Sequence, residues 1–410
     1  MKKMKKLSII FNKTRGKSLL LMFLLLSAIG TTNVMAQNFT EGDLNYSVNE
    51  DGTTVTLTGH FYGTNAVGTL DIPSEVNYNN QTYTVTAIGN NAFSGCSGLT
   101  GSLVVPNSVT TIGDHAFSGC FAMQGSLTIG TSVTEIWDYA FQDCGFNTLN
   151  FNATECTRMF SYDNENGFGG SVFVGCNNLG TLNIGENVQI IPAWAFFGCN
   201  NFTGSLTIPD SVTSIGLRAF EQCSGFMGSL TIGNSVTTIG EMAFMGCNFT
   251  GSLTLGNSVT TIEAWAFSGC SGFTGNLIIP NSVITIGGST DVMGHDGAFS
   301  DCSGFTGDLI IPNSVTTIQG HAFSGCTGFS SLTIGTSVTE IEPYAFSGCT
   351  NFTEVNFNAT NCTSMGNYSQ SLAYVRSAFG SGPTQATLNI GENVEIIPSY
   401  AFSGCSGFVG

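Results

Sequence analysis

The sequence predicts a solenoid with short parallel strands on one face, short helical or 3-10 returns on the other, and a β-hairpin cap at its N-terminal end. Three observations predict it. An Ala-Phe pair followed by a cysteine recurs along the chain at a nearly fixed interval. Each unit holds a short stretch of alternating polar and apolar residues, then a stretch with apolar residues at helical spacing. Neither stretch can bury its apolar side alone, so successive units must stack.

Residues 1–36 stand apart. Lys2, Lys3, Lys5, Lys6, Lys13, Arg15 and Lys17 form a cationic segment, and Leu19–Ile29 is apolar except for Ser27. Val34-Met35-Ala36 supplies the small residues of a cleavage site, so the segment reads as a secretory signal peptide cut before Gln37. Its apolar run is well short of the roughly 20 residues that span a bilayer, and no membrane span is expected in the mature chain. Residues 37–410 keep three arginines and no lysine against 27 acidic residues, a net charge of −24. That balance repels phosphate backbones and excludes nucleic acid as a partner. It also excludes a P-loop, a Schiff base and any lysine general base.

The cap is expected over residues 37–67. Leu44–Gly59 reads LNYSVNEDGTTVTLTG, two alternating runs around Asp51-Gly52, which is a hairpin signal. From residue 68 to 410 the repeat takes over. Its phenylalanines fall at Phe93, Phe117, Phe141, Phe173, Phe196, Phe220, Phe244, Phe267, Phe299, Phe323, Phe346, Phe379 and Phe402, about 13 coils. Most intervals are 23 or 24 residues, within the leucine-rich-repeat range. Three of 32 or 33 place inserts near 152–170, 288–297 and 358–377. Segments 151–159 and 181–196 recur 206 residues later, which reads as a duplicated block.

One unit, Gly204–Phe226, reads GSLTIPDSVTSIGLRAFEQCSGF. Ser205–Ile208 alternates and predicts a strand with Leu206 and Ile208 turned inward. Pro209, with no N–H to give a ladder, ends it. Ile215, Ala219, Phe220 and Cys223 then fall at i, i+4, i+5 and i+8, which predicts one face of a short helix or 3-10 segment.

Twelve of the thirteen coils carry a cysteine three residues after the phenylalanine, Gly382 being the exception. Cys96, Cys120, Cys144, Cys223 and Cys326 should therefore lie at one depth beside Phe93, Phe117, Phe141, Phe220 and Phe323, forming a structural ladder of small apolar side chains. Disulfides between adjacent coils are the alternative, limited by the α-carbon separation they require. His60, His115, His295 and His321 have no cysteine at zinc-ligand spacing.

A unit of the form L-x-I-P-x-S-V-x-x-I-G-x-x-A-F-x-x-C, nearly whole in Leu103–Cys120 and Leu309–Cys326, resembles the BspA-like leucine-rich-repeat family of bacterial surface proteins. The resemblance runs from about Gly68 to the end. It implies a leucine-rich-repeat solenoid that is secreted or displayed on the cell surface, often an adhesin for host matrix glycoproteins or other cells.

Chemistry is hard to place on this chain. No HExxH, GxSxG or GxGxxG occurs after residue 36. Tyr162–Gly167 resembles a calcium loop but has Val174 where a glutamate is required. Asp291, His295 and Asp296 read as a polar loop. No enzyme activity, cofactor or metal is expected.

Binding positions are more legible. The residue before each Ala-Phe varies while its neighbours barely change, and it leans aromatic. His115, Tyr139, Trp194, Arg218, Met242, Trp265, His321, Tyr344 and Tyr400 are thus a candidate partner-binding flank of the residue types that dominate interfaces. The alternative is that they fold over the groove between coils. A second candidate is the outward strand residue: Thr128, Thr207, Thr231, Thr254 and Thr333, with Asn150, Asn183, Asn356 and Asn389. Threonine also simply suits strands. The expected function is a non-catalytic adhesion or recognition scaffold for an extracellular or host-surface protein or glycoprotein. A structural, self-associating envelope protein is the alternative. Because Ser406–Gly410 stops where earlier units continue to Ser-Leu-Thr-Ile, the chain is expected to extend beyond residue 410 or to be covered there by a partner.

Overall fold

The structure is a computed structural model that describes residues 37–159, 171–288, 297–369 and 374–409. Its coils are held by three inter-coil ladders. The first is formed by Ser-Leu-Thr-Ile-type strands such as Ser126–Ile129, Thr148–Phe151 and Thr181–Ile184, paired parallel and in register so that Leu103, Leu127, Leu149 and Leu182 align. Leu127, Ile129, Leu149 and Phe151 are buried, while Thr128 and Asn150 between them face outward. Alternation alone produces that split, because successive side chains point to opposite faces.

The second ladder uses two-residue strands, most commonly Thr-Ile. Eight of them, from Ile190–Ile191 to Ser364–Met365, pair in one parallel sheet. Threonine hydroxyls reinforce it from outside: Thr237 Oγ1 donates to the Thr213 carbonyl at 3.1 Å and Thr260 Oγ1 to that of Thr237 at 3.1 Å.

The third ladder is the return, and here the helical expectation is corrected. Among the described residues the only helix is the 3-10 turn Gly63–Asn65. In the return, alternate N–H groups leave their own coil. Arg218, Phe220 and Gln222 donate to the Glu241, Ala243 and Met245 carbonyls of the next coil at 2.8, 2.7 and 2.8 Å. The residues between them, Ala219, Glu221 and Cys223, donate three residues back within the turn. A helix would keep every N–H inside the coil, so the return is a row of turns stitched along the solenoid axis.

Two features make this geometry. The residue before Ala-Phe takes a left-handed backbone at ten positions, with φ from 51° at His115 to 64° at Tyr400. The residue before the cysteine is left-handed too. It is usually glycine, as at Gly95 and Gly119, and otherwise Asp143, Gln222 or Asp301. Left-handed residues interrupt a right-handed helix even when the apolar spacing suits one.

The core is a stack of aromatic rings. Phe93, Phe117, Phe141, Phe173, Phe196 and Phe220 follow one another at centroid distances of 5.1, 5.2, 5.7, 6.3 and 5.1 Å. The stack continues through Phe244 to Phe402 across the other two long intervals. A second stack, absent from the sequence reading, runs beside it through Phe202, Phe226, Phe249, Phe273, Phe305 and Phe329. Edge contacts such as Phe244–Phe249 tie the two together at 6.4 Å.

At the N-terminal end, Leu44–Val48 and Thr54–His60 pair antiparallel around Asp51-Gly52, with Asn38–Glu41 added outside. Asp51 holds the turn by accepting the Thr53 and Thr54 N–H groups at 2.8 Å each. A further hairpin of Glu75–Tyr78 and Gln81–Ile88, not expected from the repeat, enlarges the first coil. Two expected inserts also begin later than the intervals suggested. Residues 152–159 and 358–365 are ordinary coil, with Cys156 and Cys362 buried at the position that valine holds elsewhere. Tyr162–Gly167 and the Asp291–Asp296 stretch lie outside the described residues.

Candidate recognition surface

The outward residues of the first ladder form one row. The predicted members Thr128, Asn150 and Asn183 lie on adjacent strands, and their side chains bond along the row: Asn150 Nδ2 donates to Thr128 Oγ1 at 3.1 Å, and Asn183 Nδ2 to Asn150 Oδ1 at 2.8 Å. The duplicated block repeats the arrangement at Thr333, Asn356 and Asn389, with Asn389 Nδ2 reaching Asn356 Oδ1 at 2.8 Å. Between these blocks, Thr207, Thr231 and Thr254 line a groove of about 780 Å³ together with Asn183, Glu186, Ser205, Asp210 and Asn234. The sequence reading missed three apolar members of the row. Val104, Ile278 and Ile310 are 58, 74 and 56% exposed, and the two isoleucines line a second groove of about 410 Å³. They escaped notice because isoleucine at this position looks like more core in the run Leu-Ile-Ile.

The predicted flank residues are all placed on the return ladder, and in several coils they engage one another. His115 meets Tyr139 at 4.9 Å between ring centroids, and His321 meets Tyr344 at 5.0 Å. His115 Nδ1 also lies 3.0 Å from the Asp114 carboxylate. Trp194, expected to be exposed, is only 8% exposed, because the Arg218 guanidinium of the next coil covers its ring at 4.7 Å. Arg218 in turn pairs with Glu221 at 3.0 Å. Burial pushes the Glu221 carboxyl up, and the Arg218 charge pulls it partly back. Tyr139, Arg218, Met242, Trp265, His321 and Tyr344 are half-buried, and Tyr400 is 49% exposed.

The cysteines are free thiols, all buried except half-buried Cys405. Their role exceeds filling space. Cys223, Cys247 and Cys270 each donate S–H to the phenylalanine carbonyl of the preceding coil, at 3.0, 3.1 and 3.0 Å from Phe196, Phe220 and Phe244. Cys120, Cys144 and Cys326 do the same to Phe93, Phe117 and Phe299, while Cys96 donates to Gly63 at 3.3 Å. Burial pushes the thiols of Cys270 and Cys349 up to about 12. They stay protonated, as donors must, and are poor nucleophiles or metal ligands. Among the described residues, no three His, Cys, Asp or Glu side chains converge on a point that could hold a metal ion.

Parallel strands in register, a repeat of 23–24 residues and a continuous phenylalanine core define a leucine-rich-repeat protein, one that offers rows of repeated side chains. More closely, the chain belongs to the BspA-type leucine-rich-repeat family of bacterial surface proteins: the family model for the BspA type leucine rich repeat region matches residues 86–165, 166–290 and 295–406, in six copies. No curated protein sequence matches the chain. Among solved structures, it is similar to a leucine-rich repeat protein from Bacteroides ovatus ATCC 8483, with 22% identity over 90% of this chain and 99% of that one and a TM-score of 0.51. It is also similar to a leucine rich cell surface protein from Faecalibacterium prausnitzii A2-165, with 23% identity over 83 and 98% of the two chains and a TM-score of 0.34. The pneumococcal vaccine antigen PcpA is 16% identical over 88 and 95% of the two chains, with a TM-score of 0.43. Among the described residues no helix is long and apolar enough to cross a membrane.

Proposed function

We propose that the protein is a secreted or cell-surface, non-catalytic recognition scaffold that adheres to host matrix proteins or other cells through the outward row of its first ladder. The observation that carries this reading is the groove across Thr207, Thr231 and Thr254, where three identical side chains on adjacent coils face solvent beside carboxylates and amides. Identical rows favour extended or repetitive ligands, whose affinity accumulates over many weak contacts. Export is supported by the cationic and apolar N-terminal segment and by membership of a family of surface proteins. Thiols held as buried donors support a structural role for the cysteines.

The test is binding of residues 37–410 to immobilised fibronectin and fibrinogen at two salt concentrations. Saturable binding is the expected outcome, and its salt response reports how far the acidic surface contributes. A folded protein that binds neither but self-associates in light scattering would contradict the adhesion reading and favour an envelope-building one.

A further inference from the structure

The N-terminal cap contains a groove of about 490 Å³ with four carboxylates in its lining, those of Glu41, Asp43, Asp71 and Glu75. Three segments bring them together: the turn between Asn38–Glu41 and Leu44–Val48, the stretch after Val67–Thr69, and the start of Glu75–Tyr78. The Phe61 N–H pins the turn by donating to the Asp43 carbonyl at 2.7 Å. Between the carboxylates the lining is apolar, from the buried side chains of Leu44, Leu70 and Val76. Among the described residues no three His, Cys, Asp or Glu side chains converge to hold a metal ion. Carboxylates spread around such a space suit a larger, organic cation.

Tyr46 points to a ligand independently of the charges. It is 1% exposed, with its ring stacked on Phe39 at 5.3 Å, yet it lines this groove. Its hydroxyl has no hydrogen-bond partner among the described residues. A buried hydroxyl is normally paired, and here the groove is the side from which a partner can arrive. Register sets Glu41 on the same face: Phe39 pairs with Tyr46 and Glu41 with Leu44, and alternate residues of a strand share a face. Burial, and then the Glu41 charge, push the Tyr46 phenol up to about 12. It therefore keeps its proton, and its lone pairs are free to accept a hydrogen bond. His60 is the one basic residue in the lining, and its Nδ1 accepts the Tyr62 N–H at 3.2 Å.

We propose that the cap groove binds the side chain of a lysine on a partner polypeptide, its ammonium donating to the Tyr46 hydroxyl and paired with Glu41. An ammonium is a compact charge with three rotatable donors, which suits carboxylates arriving from three segments rather than one planar face. Its methylene stem can pack on Leu44, Leu70 and Val76. All four carboxylates are exposed, so they stand at the rim, where a side chain enters from another surface. Residues 37–410 contain no lysine, so a second copy of them cannot be the occupant. This site lies on the cap, away from the outward row, and goes beyond the recognition reading above.

The test is a ligand-observed NMR titration at physiological salt with end-blocked pentapeptides, a central lysine, acetyl-lysine or arginine flanked by glycines. The lysine peptide binds most tightly, the arginine peptide more weakly despite equal charge, and the acetyl-lysine peptide least. Tyr46→Phe, which removes only an unpaired hydroxyl, and Glu41→Gln each weaken the lysine peptide by about three- to thirty-fold. Glu155→Gln, an exposed carboxylate outside the groove, leaves it unchanged. Melting curves establish that the variants are folded. Equal binding of lysine and acetyl-lysine peptides, or equal loss in Glu155→Gln and Glu41→Gln, would overturn the proposal, the second leaving only diffuse charge attraction. Pentylammonium binding more tightly than the lysine peptide would overturn the polypeptide as the source. Matrix-protein binding by a protein that takes no lysine peptide would refute this site and leave the adhesion reading standing. Lysine-peptide binding lost in Tyr46→Phe, with no matrix binding by the wild type, would do the reverse.

Discussion

Phe220→Ala probes what holds the solenoid together. The Phe220 ring is completely buried and stacks on Phe196 and Phe244 at 5.1 Å each, with interplanar angles of 30° and 3°. Truncation removes the transfer free energy of a full phenyl ring and both stacking contacts, and leaves a cavity that stiff neighbouring coils cannot close. The expected cost is about 3–5 kcal/mol, of which the two ring pairs contribute about 0.5–1.5 kcal/mol each. Phe121→Ala is the control, since Phe121 is 62% exposed and a surface change of this kind costs less than about 0.5 kcal/mol. Coils touch only their neighbours, so the damage should be local. Native-state hydrogen exchange should show faster exchange at Phe220, Phe244 and the amides bonded between them, with distant coils such as those at Phe323 and Phe346 little changed. If Phe220→Ala shifted urea unfolding no more than Phe121→Ala, the ring stack would not be the source of stability.

Other outcomes follow from the thiols and the return. A thiol reagent at pH 8 should titrate at most one cysteine, Cys405, in the native protein and all 14 after unfolding. Because burial raises the Cys270 and Cys349 thiols from about 9 to about 12, the unfolded chain loses protons first as pH rises. Stability should therefore be flat below about pH 9 and fall between pH 9 and 12, each such thiol contributing about 1.4 kcal/mol per pH unit; a melting temperature constant to pH 11 would contradict this. Met242→Val, placing a β-branched residue at φ 55°, should destabilise by about 1–2 kcal/mol in urea, whereas Met242→Gly should cost little or stabilise. Cys156→Val, at the position valine holds in other coils, should cost less than about 1.5 kcal/mol by the same measurement.

Much of this architecture was legible because it repeats. Alternation in Ser-Leu-Thr-Ile and the recurring phenylalanine were enough to place the strands and the main ring stack. The return was misread because Ile215, Ala219, Phe220 and Cys223 have helical spacing, and apolar spacing does not report backbone handedness. The signal was present elsewhere: a glycine recurs before the ladder cysteine, and only Asp143, Gln222 and Asp301 replace it. Glycine at a fixed place is how a sequence marks a left-handed turn. The thiol bonds were invisible for a different reason. Whether cysteine is filler or donor depends on a carbonyl 26 or 27 residues earlier in most coils, such as that of Phe220 beneath Cys247, which only stacking brings within reach. Trp194 likewise reads as an exposed anchor until Arg218, one coil away, is seen to cover it.

If recognition runs along the outward row of the first ladder, carboxylates placed in that row should abolish it. The measurement is surface plasmon resonance of the double variant Thr207→Glu, Thr231→Glu over immobilised fibronectin and fibrinogen. Both positions line the same groove and are paired across adjacent strands, so a melting curve of the variant establishes that the two new carboxylates leave the coils folded. Saturable binding by the wild type and its loss in the variant are expected. Unchanged binding by the variant, or no binding by a folded wild type, would contradict recognition along that row.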